Sequence, residues 1–324
     1  MISNNYVGID ISKETFDVAI YQSSGYQYYK FSNNSRGFRA LRKLVNRDHH
    51  MVMEASGPYY MQLATDLHEN GFAVSVVNPL VIRRFCQMRL SRAKTDRKDA
   101  MMIAEYGKAE HPTLWKPNES YVLALKQMQA SVDLLNKNRT SLLRQQQAFK
   151  ANSHPCKEAL QVIAGAIKNT EKAIAVLEKK MEDLIVKHHG ELYQRLQTIP
   201  GVGKKAALLL VVLSGGFTKF ENSKQLSSYI GLSPRIFESG TSVKGKARIT
   251  KMGMSRMRAI LYVCAWSAKR CNDSCATLYE RLLLKGKARR QALIAVANKL
   301  LKQAFAIATK NNDYQKNYVK STCF

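Results

Sequence analysis

The stretch Tyr6-Val-Gly-Ile-Asp-Ile-Ser12 is an apolar run that closes on an acid, and a second strand-like run rich in β-branched and aromatic residues follows it from Thr15 to Tyr21. Asp10 therefore sits where a buried strand emerges. Met51-Val52-Met53 is another apolar run, ending in Glu54 ahead of Ala-Ser-Gly-Pro, a strand stop that feeds a helix beginning near Pro58. Glu54 is thus a second acid at a strand end. In Lys94-Thr95-Asp96-Arg97-Lys98-Asp99-Ala100, Thr95 or Asp96 can cap a helix whose apolar residues recur at Ala100, Ile103 and Ala104. Asp96 and Asp99, three apart, share one face of that helix.

Four carboxylates brought to one partly buried cleft repel one another unless a cation sits between them. An all-oxygen donor set suits hard divalent ions, so the expected occupant is Mg2+ or Mn2+. Two such ions side by side can stabilise charge on a phosphodiester during displacement. Each acid alone also has a plainer reading, as a strand-end or helix-end residue facing solvent. The set in this order and context favours the metal.

Outward from these motifs, residues Tyr6 to about Ser32 read as three strands in meander, turning at Ser23-Ser24-Gly25. A helix from Ser35 to Val45, the Glu54 strand, a helix from Pro58 to about Asn70, a strand at Phe72 to Val77 and a short helix near Leu80 to Cys86 follow. That alternation predicts a mixed sheet flanked by helices. Arg83, Arg84, Arg89, Arg92 and Lys94 form a basic stretch ahead of the Asp96 helix, suited to phosphate.

The chain has 324 residues, 45% of them hydrophobic, enough for two or more cores and too apolar for a disordered chain. Its formal charge of +27 calls for a polyanionic partner, most simply nucleic acid. The charge is uneven: residues 191–324 hold 24 Lys and Arg against six acids, and residues 1–114 hold 15 against 11. Cysteines at 86, 156, 264, 271, 275 and 323 show neither a CxxC pair nor finger-spaced histidines, so a zinc site is not expected; reduced thiols in a cytoplasmic, nucleoid-associated protein are. Cys271 and Cys275 are read as small residues within one helix. Acids and polar residues interrupt the first 20 positions too early for a signal peptide, and the longest apolar run, Ala206 to Leu213, is too short to cross a bilayer.

From Glu119 the period is helical. Leu125, Met128, Val132, Leu135 and Leu142 trace a 3-4 seam broken by Arg139, and a second seam runs through Leu160, Ile163, Ile167, Ile174, Leu177, Met181 and Leu184 with Thr170 in it. Ser153-His154-Pro155 marks the turn of this coiled-coil hairpin, through which residues 119–187 are expected to form a homodimer or higher homo-oligomer. Ile199-Pro-Gly201-Val-Gly203-Lys204-Lys205 follows. A Gly-x-Gly turn opening a helix offers N–H groups and a positive dipole to a phosphate, in the manner of a helix-hairpin-helix element.

Between Lys244 and Arg258 lie six cations and no acids: Lys244, Lys246, Arg248, Lys251, Arg256 and Arg258. Beside them are Ser233, Ser239 and Ser242, any of which flanking cations could hold against a scissile phosphate. Composition does not choose among the three. Two final helices are expected, Ser255 to about Arg270 and Lys287 to about Lys310, with residues 285–290 as a further phosphate contact.

Asp10 in GIDIS, Glu54 in MEASGPYY, the VNP at Val77 to Pro79, KTDRKDA, and the later IPGVG, GLSPRIFESGTSVKGKARITKMG and RAILY resemble the motifs of the DEDD transposases of the insertion-sequence-110 family, whose relatives include the pilin-gene inversion recombinase Piv. The resemblance covers nearly the whole chain. It implies an α/β RNase H-like (RuvC-like) N-terminal domain over 1–112 holding magnesium on Asp10, Glu54, Asp96 and Asp99. A helical connector over 113–190 and a mainly α C-terminal transposase domain over 191–324 follow. It also implies that Ser239, the serine of ESG, attacks DNA and becomes covalently joined to it. Because the acids and this serine lie in different domains, they are expected to meet in one composite site, within one chain or across a dimer. For many relatives it implies a structured guide RNA that pairs with donor and target DNA.

The expected function is therefore a DNA transposase or recombinase that cleaves and rejoins strands, with a Piv-type invertase or a RuvC-like nuclease or junction resolvase as alternatives. A sugar-kinase or actin-like ATPase shares the first loop, Gly-Ile-Asp-x-Ser, but would need a second phosphate loop that this sequence lacks. A non-catalytic nucleic-acid binder would be indifferent to changes in the four acids.

Overall fold

The computed structural model describes residues 5–22, 25–90, 95–235, 238–239, 243–244, 248–250 and 252–316. It divides into two compact units, residues 1–118 and 119–324.

In the first unit β1 (Asn5–Ile11), β2 (Thr15–Gln22) and β3 (Gly25–Ser32) form the antiparallel meander that the alternation predicts. After α1 (Ser35–Leu44), capped by the Asn34 side chain, β4 (His49–Glu54) runs parallel to β1. α2 (Tyr60–Glu69) leads to β5 (Ala73–Val77), parallel to β4, so the sheet order is β3-β2-β1-β4-β5. α3 (Pro79–Met88) starts with Pro79 in its first turn and the Asn78 side chain accepting from Leu80 N at 2.9 Å, which explains the Asn-Pro pair. α4 (Asp96–Glu110) completes the unit.

The central strands are covered on both faces, as near-continuous apolar runs require. Val7, Ile9 and Ile11 point one way, into a core with Phe38 and Leu41 of α1 and Leu63 and Leu67 of α2. Tyr6 and Val52 point the other way, packing with Ile82 of α3 and Ile103 of α4. Gly8 and Asp10 share the Tyr6 side by strand periodicity. The α4 backbone passes so close that a β-carbon on Gly8 would stand 2.0 Å from the Ala100 carbonyl oxygen.

The second unit starts with two long helices, α5 (Ser120–Lys150) and α6 (Lys157–Gln197), packed against each other. Both interruptions of their seams have partners: Arg139 forms an ion pair with Glu171 at 3.2 Å, and the Thr170 hydroxyl donates to the Ala166 carbonyl at 2.8 Å. α7 (Lys204–Ser214), α8 (Ser223–Ile230), α9 (Ser255–Cys271), α10 (Asp273–Leu284) and α11 (Arg289–Lys310) follow. Leu125, Val132, Ile174, Met181 and Ile185 of the long helices are buried in the same core as Leu209, Met257, Leu261, Val296 and Leu300. The base of the hairpin thus shares its core with the segment that follows. α6 departs from helical geometry at His189 (φ −141°, ψ 31°), whose Nε2 lies 2.9 Å from the Tyr121 hydroxyl.

Where two final helices are expected, the structure has three. Asn272 takes extended backbone (φ −120°, ψ 103°), ends α9 through its N–H to Ala268 O, and caps α10 with its side chain. Cys271 and Cys275 therefore belong to different helices. α11 is long and apolar enough to cross a membrane by length and composition, but half of its most apolar stretch is buried in the core.

Candidate active site

One row of residues runs across the sheet. Asp10 on β1 is paired with Asp17 on β2, and Asp17 in turn with Lys30 on β3. On the other side Ile9 pairs with Met53, so the next residues, Asp10 and Glu54, leave their parallel strands side by side. Register partners share a face of a sheet, and this is the face that α4 crosses. Because Gly8 abuts Ala100 and Ala104, the turn of α4 just before Ala100 lies over the row. That turn carries Asp96 and Asp99, and the Thr95 side chain caps it by accepting from Lys98 N at 3.3 Å. The four predicted acids thus come together from two strand ends and one helix N-terminus, whose dipole favours negative charge.

Burial, followed by the charges of Asp99, Glu54, Asp96 and Asp17, pushes the Asp10 carboxyl up to about 6. Like charges in a shared, partly desolvated site have this effect, and a cation would relieve it. The donor set is carboxylate oxygen throughout and fits a hard divalent ion by its chemistry. Among the described residues no three His, Cys, Asp or Glu side chains close to the spacing of metal ligands, so the cluster is an open one. Ser56 orients Glu54, its hydroxyl donating to Oε1 at 2.5 Å.

Asp17 and Lys30 had no place among the predicted site residues. Asp17 is 3% exposed, accepts from the Tyr28 hydroxyl, and lies 3.6 Å from Lys30 Nζ. The same ammonium is 3.9 Å from Asp96. A lone acid inside the apolar run Thr15 to Tyr21 was the available signal.

In the second unit, β6 (Pro234–Arg235) pairs with β9 (Arg248–Ile249), and inside that ladder β7 (Glu238–Ser239) pairs with β8 (Val243–Lys244). Ser239 lies on the inner ladder opposite Val243. Ser242, Lys246 and Lys251, like Arg92 and Lys94 of the first unit, lie outside the described residues. Arg248 is exposed. Two further cations of this stretch have internal partners, Arg256 on Asp133 at 2.5 Å and Arg258 on the Ile230 carbonyl at 2.7 Å.

Gly201 is a packing glycine: at φ +97° a β-carbon there would stand 2.7 Å from the Ala268 β-carbon. Gly203 is open, with nothing within 4 Å of an added β-carbon, and heads α7 without a side-chain cap. Lys204 and Lys205 are exposed beside it, Lys205 paired with Glu178. Arg83, Arg84 and Arg89 are exposed on or just after α3; Arg84 reaches Gln87 at 3.0 Å and Arg89 lies over the Phe85 ring.

Comparison with known proteins matches the two parts of the chain to two family models. Residues 7–151 match the IS110-type DEDD transposase family, described as transposase, and residues 193–280 match the family described as Transposase IS116/IS110/IS902. The pilin gene-inverting proteins of Moraxella bovis and Moraxella lacunata are each 31% identical over 97% of this chain and 99% of their own length. The transposase of insertion sequence element IS1111A from Coxiella burnetii is 30% identical over 49% of this chain and 44% of its own.

Proposed function

The chain belongs to the IS116/IS110/IS902 transposase family, and from that premise we propose that it cuts and rejoins DNA strands with the Asp10, Glu54, Asp96 and Asp99 carboxylates and the Ser239 hydroxyl. The observation that carries the reading is the cross-strand row, in which Asp10 and Glu54 emerge together under the first turn of α4. The sheet order β3-β2-β1-β4-β5, with a meander followed by parallel strands, supports an RNase H-like core.

Asp10, Glu54, Asp96 and Asp99 would hold Mg2+ or Mn2+, which when bound supplies positive charge for the phosphate oxygens of the strand being cut. Ser56 keeps Glu54 turned to that task. The Ser239 oxygen attacks phosphorus, the bond from phosphorus to the departing strand oxygen breaks, and the serine proton ends on that oxygen. The phosphodiester energy is kept in a phosphoserine link, which a second strand's hydroxyl reverses. Arg83, Arg84, Arg89, Arg92, Lys204, Lys205, Lys244, Lys246, Arg248 and Lys251, with the N–H groups at Gly201 and Gly203, contribute phosphate contacts that set position rather than sequence. A structured guide RNA is a second polyanion that this basic chain would take.

The test incubates the protein with Mg2+ and the DNA that flanks its gene, and looks for a covalent peptide adduct by denaturing gel and mass spectrometry. Ser239→Ala should lose the adduct and keep DNA binding. Cutting that survives in Ser239→Ala but not in Asp10→Ala would replace the proposal with a metal nuclease. Full-length similarity to pilin gene-inverting proteins favours inversion as a second reading. Inverted sites around an invertible segment would support it, and element ends around the gene would support transposition.

A further inference from the structure

We propose that Asp17 is a buried anchor that divides the charge of Lys30 between itself and Asp96, and so holds the first turn of α4 in place and keeps Asp96 available to a divalent ion. The inference rests on the metal reading of the site and adds two positioning residues to it.

A carboxylate inside a sheet is costly unless its oxygens are satisfied. Those of Asp17 are. The Tyr28 hydroxyl donates to Oδ1 and the Lys30 ammonium stands 3.6 Å from Oδ2. With both oxygens engaged, Asp17 is a poor candidate for a fifth metal ligand although it sits directly opposite Asp10. Lys30 is half exposed, and the second carboxylate it reaches is Asp96, at 3.9 Å. The next residue of α4, Arg97, places its guanidinium 5.7 Å from the centre of the Tyr28 ring. Two consecutive residues of the α4 N-terminus thus rest on β3 through the two side chains that Asp17 holds. Remove Asp17, and nothing draws Lys30 away from Asp96; the lysine then competes with a metal ion for it.

Mn2+ binding to the intact, DNA-free chain, followed by electron paramagnetic resonance, reads this directly. Asp17→Asn should weaken binding about three- to tenfold, while Lys30→Met alone tightens it and Lys30→Arg leaves it near wild type. The double variant Asp17→Asn with Lys30→Met should recover wild-type affinity or better. A loss in Asp17→Asn that the double variant does not recover would make Asp17 a ligand and overturn the proposal, as would wild-type affinity in Asp17→Asn or unchanged or weaker binding in Lys30→Met. Hydrogen exchange over residues 98–103 of the metal-free protein tests the anchor independently. Faster exchange in Asp17→Asn is expected, because Tyr28 and Lys30, on which Asp96 and Arg97 rest, lose the buried carboxylate that fixes them, and wild-type rates overturn the anchoring role. Wild-type protein whose Mn2+ binding is absent or indifferent to Asp10→Asn would remove the metal reading itself, and the exchange measurement would still decide whether Asp17 anchors α4.

Discussion

Gly8 and Ala100 are in backbone contact: a β-carbon on Gly8 would stand 2.0 Å from the Ala100 carbonyl oxygen and 2.4 Å from the Ala104 nitrogen. Both obstacles are main chain, so neither can swing aside. Gly8→Ala must lift α4 off β1, and with it Asp96 and Asp99. We expect a loss of about 3 kcal/mol or more in urea unfolding, at the upper end of overpacking effects, together with loss of Mn2+ binding. Gly165→Ala, in a helix with nothing within 4 Å of the added carbon, should instead stabilise by about 0.5–1 kcal/mol. Equal effects from the two would contradict the contact.

Asp10 gives the metal-free protein a pH signature. Its carboxyl titrates at about 6 in the folded chain, against an ordinary 3.8. The folded state therefore binds that proton more tightly than the unfolded one, so the contribution to stability is full below pH 3.8 and is lost as pH rises through about 6. Asp10→Asn escapes this loss. At pH 7 without metal it should be more stable than wild type by about 1–2 kcal/mol, a figure reduced from the full shift because the group is partly exposed, and near pH 3.5 the two should melt alike. A melting difference that does not vary with pH would rule this out.

At the α7 N-terminus, Lys204 and Lys205 are not equivalent, because Lys205 is already paired with Glu178. Changing both to alanine should weaken DNA binding evenly across sequences and lower the slope of log affinity against log salt by about one rather than two. A change in sequence preference would mean base contacts instead of phosphate contacts.

The long helices leave Leu134, Val162, Val176 and Val186 more than half exposed. If these residues join two copies, light scattering should give a dimer for the wild type and a monomer for the double variant Leu134→Lys with Val176→Lys, with both proteins folded by circular dichroism. A monomeric wild type across the micromolar range would exclude self-association through the hairpin.

The sheet and the strand ends that carry Asp10 and Glu54 were legible in the sequence, because an apolar run that stops on an acid records both a buried strand and the place where it surfaces. Periodicity likewise gave the long helices. It ended α9 close to its true end but gave no helix to α10, whose start rests on one Asn whose side chain substitutes for backbone hydrogen bonds. Asp17 was missed for a related reason. An acid in the middle of a strand looks like an outward-facing residue until the pairing with Lys30 and Asp10 is known, and pairing is a long-range fact that local pattern does not carry. The basic stretch around Lys244 was visible as charge, but its Arg256 and Arg258 turn inward to Asp133 and Ile230.

Asn272 does more than separate two helices. Its amide nitrogen donates to Pro200 O and to Gln303 Oε1, and its oxygen accepts from Ser274, from Cys275 N and from the Tyr314 hydroxyl. One nearly inaccessible side chain thereby joins the Ile199–Gly203 turn, α10, α11 and the segment that follows α11. Melting of any one of these would strand polar atoms belonging to the others, so they should open together, as a single cooperative block with no early-yielding end.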